Sequence, residues 1–200
     1  MKKSILLSLA LLATSLTAEE GEKAFSDEFQ AYDTPVNYNY AELFVGQIDT
    51  IDDSPLVISG GGEGMITKNW IYDLYYTGAT SNTVNANTFA FGGSYRFSMM
   101  EKLDLLVGAD LIYGWGNESG GPSTNDFGFG VKTSLRYGFT PKFEGLLGLG
   151  VTNLYDNTGT SVTASLTYYF NNYFGLSGRV IETFATNNSF TYGASLKFRF

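Results

Sequence analysis

The feature that most constrains this chain is a period-two alternation recurring in segments of about ten residues. It is clearest at the C-terminus. There Phe190, Tyr192, Ala194, Leu196, Phe198 and Phe200 share one parity, and Thr191, Gly193, Ser195, Lys197 and Arg199 the other. Successive side chains of a strand leave opposite faces, so such a segment needs an apolar medium on one side and a polar one on the other. The same pattern runs from Phe127 to Phe139, from Leu103 to Trp115 and from Phe89 to Phe97. Segments 143–155, 160–170 and 173–185 follow it with more exceptions, and 38–48, 56–66 and 70–80 follow it weakly.

The connections alternate as well. Tight turns at 67–69, 99–102, 140–142 and 171–172 lie between polar stretches at 49–55, 81–86, 116–125, 156–159 and 186–188. Membrane barrels have short periplasmic turns and longer outer loops, and an even strand number returns both termini to the periplasm. The expected fold is therefore all-β: a transmembrane antiparallel up-and-down β-barrel over 38–200. It has about ten strands, or eight if the first pair stays outside it. Aromatics near strand ends, among them Tyr38, Tyr40, Trp70, Tyr72, Trp115, Tyr155 and Phe170, are expected to form two interfacial girdles.

Residues 1–18 read as a signal peptide: Lys2 and Lys3, an apolar core from Ile5 to Leu12, and a cleavage site at Ser15-Leu16-Thr17-Ala18. Residues 19–37 read as an acidic periplasmic N-terminal segment, with Phe25, Phe29 and Tyr32 spaced along one helical face. Twelve Lys and Arg, two of them in the leader, stand against twenty Asp and Glu, which argues against a nucleic-acid partner. No cysteine is present, so there is no disulfide and no lipidated cysteine.

The last strand, with Tyr192, Leu196 and Phe198 alternating toward a terminal Phe200, resembles the assembly signal of bacterial outer-membrane barrels. The chain from about Tyr38 resembles the small outer-membrane proteins typified by outer membrane protein A and its porin-fold relatives. The resemblance implies the outer membrane of a Gram-negative-type bacterium. It also implies recognition by the barrel-assembly machinery and contact with outer-membrane lipid and lipopolysaccharide. It fixes neither a solute nor an oligomeric state. The small barrel enzymes of that membrane rely on a histidine, and this chain has none. Nor does it offer a Cys/His metal cluster, a nucleotide loop or a Ser–His pair, so the expectation is a non-enzyme with no cofactor and no metal.

Candidate functional residues are the charges of inward parity: Glu42, Glu63, Asp73, Asp104, Asp110 and Glu144 against Arg96, Lys132, Arg136, Arg179, Lys197 and Arg199. Connected strands set Arg96 near Asp104, Arg136 near Glu144, and Asp110 near Lys132. Charges in a confined lumen need partners. They form either an ion-pair network that fills the barrel or a charged constriction in a narrow pore. Gly92, Gly108, Gly128, Gly130, Gly148, Gly150 and Gly193 share the inward parity, and either widen the lumen or make room for Tyr75 and Tyr169. Asp49, Asp52, Asp53, Glu118, Asp126 and Asp156 gather at the outer mouth, whereas Lys68, Lys102 and Lys142 lie in the periplasmic turns. An acidic mouth attracts cations, or simply keeps exposed loops soluble. The function expected is a narrow passive channel for ions or small solutes, leaning to cations. The alternative is a closed structural or surface-interaction barrel, and a histidine-free membrane enzyme comes last.

Overall fold

The computed structural model describes residues 36–50, 54–118, 122–185 and 188–200. The leader and most of the acidic segment lie outside them. Ten strands follow in order: β1 (Tyr40–Asp49), β2 (Leu56–Met65), β3 (Trp70–Thr80), β4 (Val84–Met100), β5 (Leu103–Glu118), β6 (Thr124–Thr140), β7 (Phe143–Leu154), β8 (Asn157–Tyr169), β9 (Phe174–Phe184) and β10 (Ser189–Arg199). Each pairs antiparallel with its neighbour in the chain, and β1 pairs with β10 to close the barrel. The first pair belongs to the barrel: Leu43 lies opposite Leu196 on one side and Gly60 on the other. Closure leaves no strand edge with unpaired amides, a condition that lipid imposes on any spanning sheet.

Burial is inverted relative to a water-soluble protein. Phe127 is 78% exposed and Leu111 70%, whereas Arg136 is 1% exposed and Asp104 fully buried. Exposed apolar rows of this extent are stable only against hydrocarbon. Ring pairs stand at two levels. Trp70–Tyr95, Tyr137–Phe139 and Phe174–Phe198 lie near the end that holds Tyr40 and Arg199, here called the base. Tyr113–Trp115 and Phe190–Tyr192 lie near the opposite rim.

Three expectations need correction. Tyr38 and Tyr40 are not in a girdle; both are buried inside the barrel, at 0% and 2% exposure. The parity that sends Glu42 inward sends them inward too. The connection at 156–159 is a two-residue turn, Tyr155-Asp156, with φ of 55° and 56°. Two successive positive φ values match a type I′ hairpin turn, whose twist suits the flanking strands. Finally, β4 begins at Val84, inside the stretch read as a loop. Strands β4 to β6 thus have 16 or 17 residues, well beyond the roughly 9–11 that a bilayer crossing needs.

Candidate functional site in the barrel lumen

All twelve charges of the candidate set lie on the inward parity of their strands, and they fall into four groups. At the base, Arg96 Nε is 2.9 Å from Asp104, and the Tyr38 hydroxyl donates to the same carboxylate at 2.7 Å. The Tyr38 ring lies 5.2 Å from the Arg96 guanidinium and 4.6 Å from that of Arg136. Arg136 joins two further strands, donating to Glu63 at 2.6 Å and lying 3.7 Å from Glu144. Glu144 also receives Lys197 and Arg199, each at 3.2 Å, and the Tyr169 hydroxyl at 3.0 Å. Arg199 lies 3.2 Å over the Tyr169 ring. Buried charges persist only when paired and hydrogen-bonded, and ring faces add to the attraction on the cations. Arg136 therefore touches Glu63 and Glu144, while Asp104, its neighbour across β5 and β6, takes Arg96 instead.

Higher up, Arg179 pairs with Glu42 and lies 5.3 Å over the Phe44 ring. Lys132 Nζ is 2.7 Å from Asp73 and 2.5 Å from Asp110. Four of these contacts join strands three or four apart around the barrel: Asp73 of β3 with Lys132 of β6, Glu63 of β2 with Arg136 of β6, and Lys197 and Arg199 of β10 with Glu144 of β7. None was legible from connected strands, which give only neighbours around a turn. Closure of the sheet brings these together.

An apolar cluster lies at the base. Val36 and Tyr38, just before β1, are buried with Met65, Ile71 and Leu106. The Asn39 side chain accepts from the Met65 amide at 2.9 Å, and its carbonyl accepts from the Phe200 amide at 3.1 Å. Toward the rim, Phe44, Ile48, Val57, Tyr75, Ala79 and Ala90 form a second cluster on the β1–β4 side. Opposite them the wall is lined by Gly130, Ser134, Gly148, Gly150, Thr152, Ser161, Thr163 and Ser165. A cavity of about 170 Å³ lies between this wall and Tyr40, Ile71, Tyr75, Ala90, Leu106 and Ile112, and reaches Asp110, Lys132 and Arg179. Its lining is mixed, and the groups able to hold water there are the hydroxyls of Ser134, Thr152, Ser161, Thr163 and Ser165 with the charges of Asp110, Lys132 and Arg179.

The inward glycines divide by what they meet. A Cβ at Gly193 would lie 2.6 Å from the Phe44 ring, and one at Gly128 3.0 Å from the Leu154 side chain. Gly92 and Gly108 are closed off by Asp110 and Ser94. Gly130 and Gly148 have no neighbour closer than 3.5 Å, so at these the absent side chain leaves space.

At the rim, Asp49 is exposed and accepts from Ser54 Oγ at 3.1 Å; Asp156 is exposed in its turn. Asp126 has a local role, since its carboxylate accepts the Phe127 amide at 2.8 Å and the Tyr155 amide at 2.7 Å. Asp52, Asp53 and the side chain of Glu118 lie outside the described residues. Tyr192, Leu196 and Phe198 point outward, each at least two-fifths exposed, and the Phe200 ring stands 6.2 Å from that of Phe198. Among the described residues no cluster of three carboxylates has the arrangement of a metal site.

No protein-family model and no curated protein sequence matches the chain. Among solved structures, an outer membrane channel from Pseudomonas putida F1 is similar with a TM-score of 0.53 and 12% identity, over 84% of this chain and 98% of that one. The translocator domain of the autotransporter NalP from Neisseria meningitidis aligns with a TM-score of 0.49 and 9% identity, over 91% and 95%. The KdgM porin in complex with disordered oligogalacturonate aligns with a TM-score of 0.47 and 10% identity, over 80% and 99%. At 12% identity the first likeness establishes the fold, that of the outer-membrane β-barrels.

Proposed function

We propose that this protein is an outer-membrane barrel acting as a narrow passive channel for ions or small polar solutes, leaning to cations. The observation that carries the reading is the cavity of about 170 Å³ inside the lumen, one side of which is lined by hydroxyls and glycines and which Asp110, Lys132 and Arg179 also line. An inert barrel of ten strands has no need to line one wall with small polar residues, whereas a water path does. Lys132 is shared between two carboxylates, and exposed Asp49 and Asp156 add negative charge at the rim, which favours cations. The base, with its tight turns, faces the periplasm in this reading. The rim faces outward against lipopolysaccharide, and Tyr192, Leu196, Phe198 and Phe200 serve as the assembly signal.

A second reading has its own observation. The packed floor of Val36, Tyr38, Met65, Ile71 and Leu106 suits a barrel that stays closed and serves the envelope structurally. Planar-bilayer recording of the refolded protein separates the two. Discrete conductance steps with a cation-selective reversal potential are expected; protein shown to be folded that gives no steps would establish the closed barrel instead.

A further inference from the structure

The lipid-facing surface is not uniform. Across β7, β8 and β9 the outward positions Gly145, Ala164 and Gly178 carry almost no side chain, and a Cβ added at Gly178 would meet no atom within 4 Å. The register sets Gly145 opposite Leu166 and Leu166 opposite Gly178, one residue pair below Leu147, Ala164 and Val180. Phe139, Leu147 and Val180 stand 45%, 54% and 40% exposed around this floor. Together they leave an open apolar groove of about 680 Å³ on the membrane face. Two other outward glycines are covered, Gly64 by the Tyr72 ring and Gly78 by the Tyr76 hydroxyl, whereas Gly93 meets only the Ile71 carbonyl, at 3.3 Å.

The groove lies in the half of the wall nearest the base, and its lower edge runs into two turns. Leu103 lines it and directly follows Lys102; Gly145 lies three residues after Lys142. Both lysines are exposed, Lys142 beside Pro141 and Lys102 beside Glu101. An apolar slot with a cationic edge is complementary to a lipid that carries a negative headgroup over an aliphatic chain. Small residues let such a chain approach the backbone closely, and an unfilled slot would forfeit dispersion contacts.

We propose that this groove is a binding site for one acyl chain of an anionic phospholipid in the base-side leaflet, with the headgroup phosphate against Lys142 and, more weakly, Lys102. The site stands whether or not the lumen conducts. The full chain, refolded in a mild detergent, is incubated with phosphatidylglycerol or with phosphatidylcholine of the same chains and weighed intact by native mass spectrometry. One phosphatidylglycerol per monomer should survive at a detergent level that strips phosphatidylcholine. Gly178→Phe should weaken retention roughly tenfold, and Lys142→Gln should weaken phosphatidylglycerol alone. Val107→Phe, outward on β5 away from the groove, should change neither. Heat-modifiable migration checks that Gly178→Phe folds, and Ala164→Leu repeats the test with a smaller filler. Equal retention in the parent and both filled variants would overturn the proposal, as would a parent that holds no lipid. A parent dimer that Gly178→Phe dissociates would overturn it in favour of a second copy in the groove.

Discussion

The wall formed by β1 to β4 meets the lumen with Tyr40, Phe44, Ile48, Val57, Tyr75 and Ala79, whereas that of β6 to β8 meets it with Gly130, Ser134, Gly148, Gly150, Thr152, Ser161 and Thr163. One wall supplies volume and the other leaves it free. Ten strands enclose more than side chains of average size would fill, since about eight already give an interior just filled. Both sides take up part of the surplus: Leu154 of β7 lies against Gly128, and Tyr169 of β8 against Gly175. On the first wall Phe44 closes over Gly46 of its own strand and over Gly193 of the neighbouring β10, and the remaining space meets hydroxyls of β6 to β8. A lumen packed evenly from both sides would have spread that space into gaps too small for water. The space left open includes the cavity of about 170 Å³, which Asp110, Lys132, Arg179 and Lys197 line.

The comparison can be broken most severely at Arg136, the residue that ties the two walls together. Arg136→Leu would leave Glu63 and Glu144 without their shared cation, and removing one partner of a buried pair costs about 3–5 kcal/mol, less where lumen water reaches the carboxylates. Urea unfolding followed by heat-modifiable migration should show the loss. Curves that overlay those of the parent would mean that the Arg136 pairs add nothing to what strand pairing and the Lys132–Asp73 contact already supply.

Glycine substitutions test the walls against each other. Gly193→Ala places its Cβ against the Val45 carbonyl and the Phe44 ring on the filled side and should cost about 1–3 kcal/mol, the usual effect of overpacking. On the open side a Cβ at Gly148 meets nothing nearer than 3.6 Å, so Gly148→Ala should stay within about 0.5 kcal/mol of the parent. If the two variants unfold alike, the asymmetry has no energetic content.

The smallest effect is expected at the rim. Asp49→Asn combined with Asp156→Asn should leave stability within about 0.5 kcal/mol, because both side chains are exposed. In a conducting barrel the pair should lower cation selectivity at 0.1 M salt and do little at 1 M, as the screening length falls from about 10 Å to about 3 Å. Selectivity that ignores both the substitutions and the salt would locate its origin deeper, at Asp73, Asp110 and Lys132.

Alternation is a local property of the chain, so much of the fold was legible without coordinates. Each strand carries its own record of which side chains face lipid and which face inward, and that record assigned an inward parity to the twelve lumen charges. Pairs that meet around a turn, such as Arg96 with Asp104, were legible for the same reason. Local parity could also have turned Tyr38 and Tyr40 inward with Glu42; their aromatic character pointed to a girdle, and the solvent they face overrode it.

What the sequence by itself determined, then, is the antiparallel succession of strands, the lipid-facing rows and the parity of each charge, because backbone geometry fixes these within a few residues. Only the tertiary structure decided that the first pair closes the barrel, that Glu63 and Asp73 reach β6 across the lumen, and that Asp126 holds the Tyr155 amide. It alone decided that free space gathers on one wall inside and over Gly145 and Gly178 outside. Those outcomes depend on distances between strands far apart in the chain, and such distances are set when closure, stagger and side-chain volume are satisfied together.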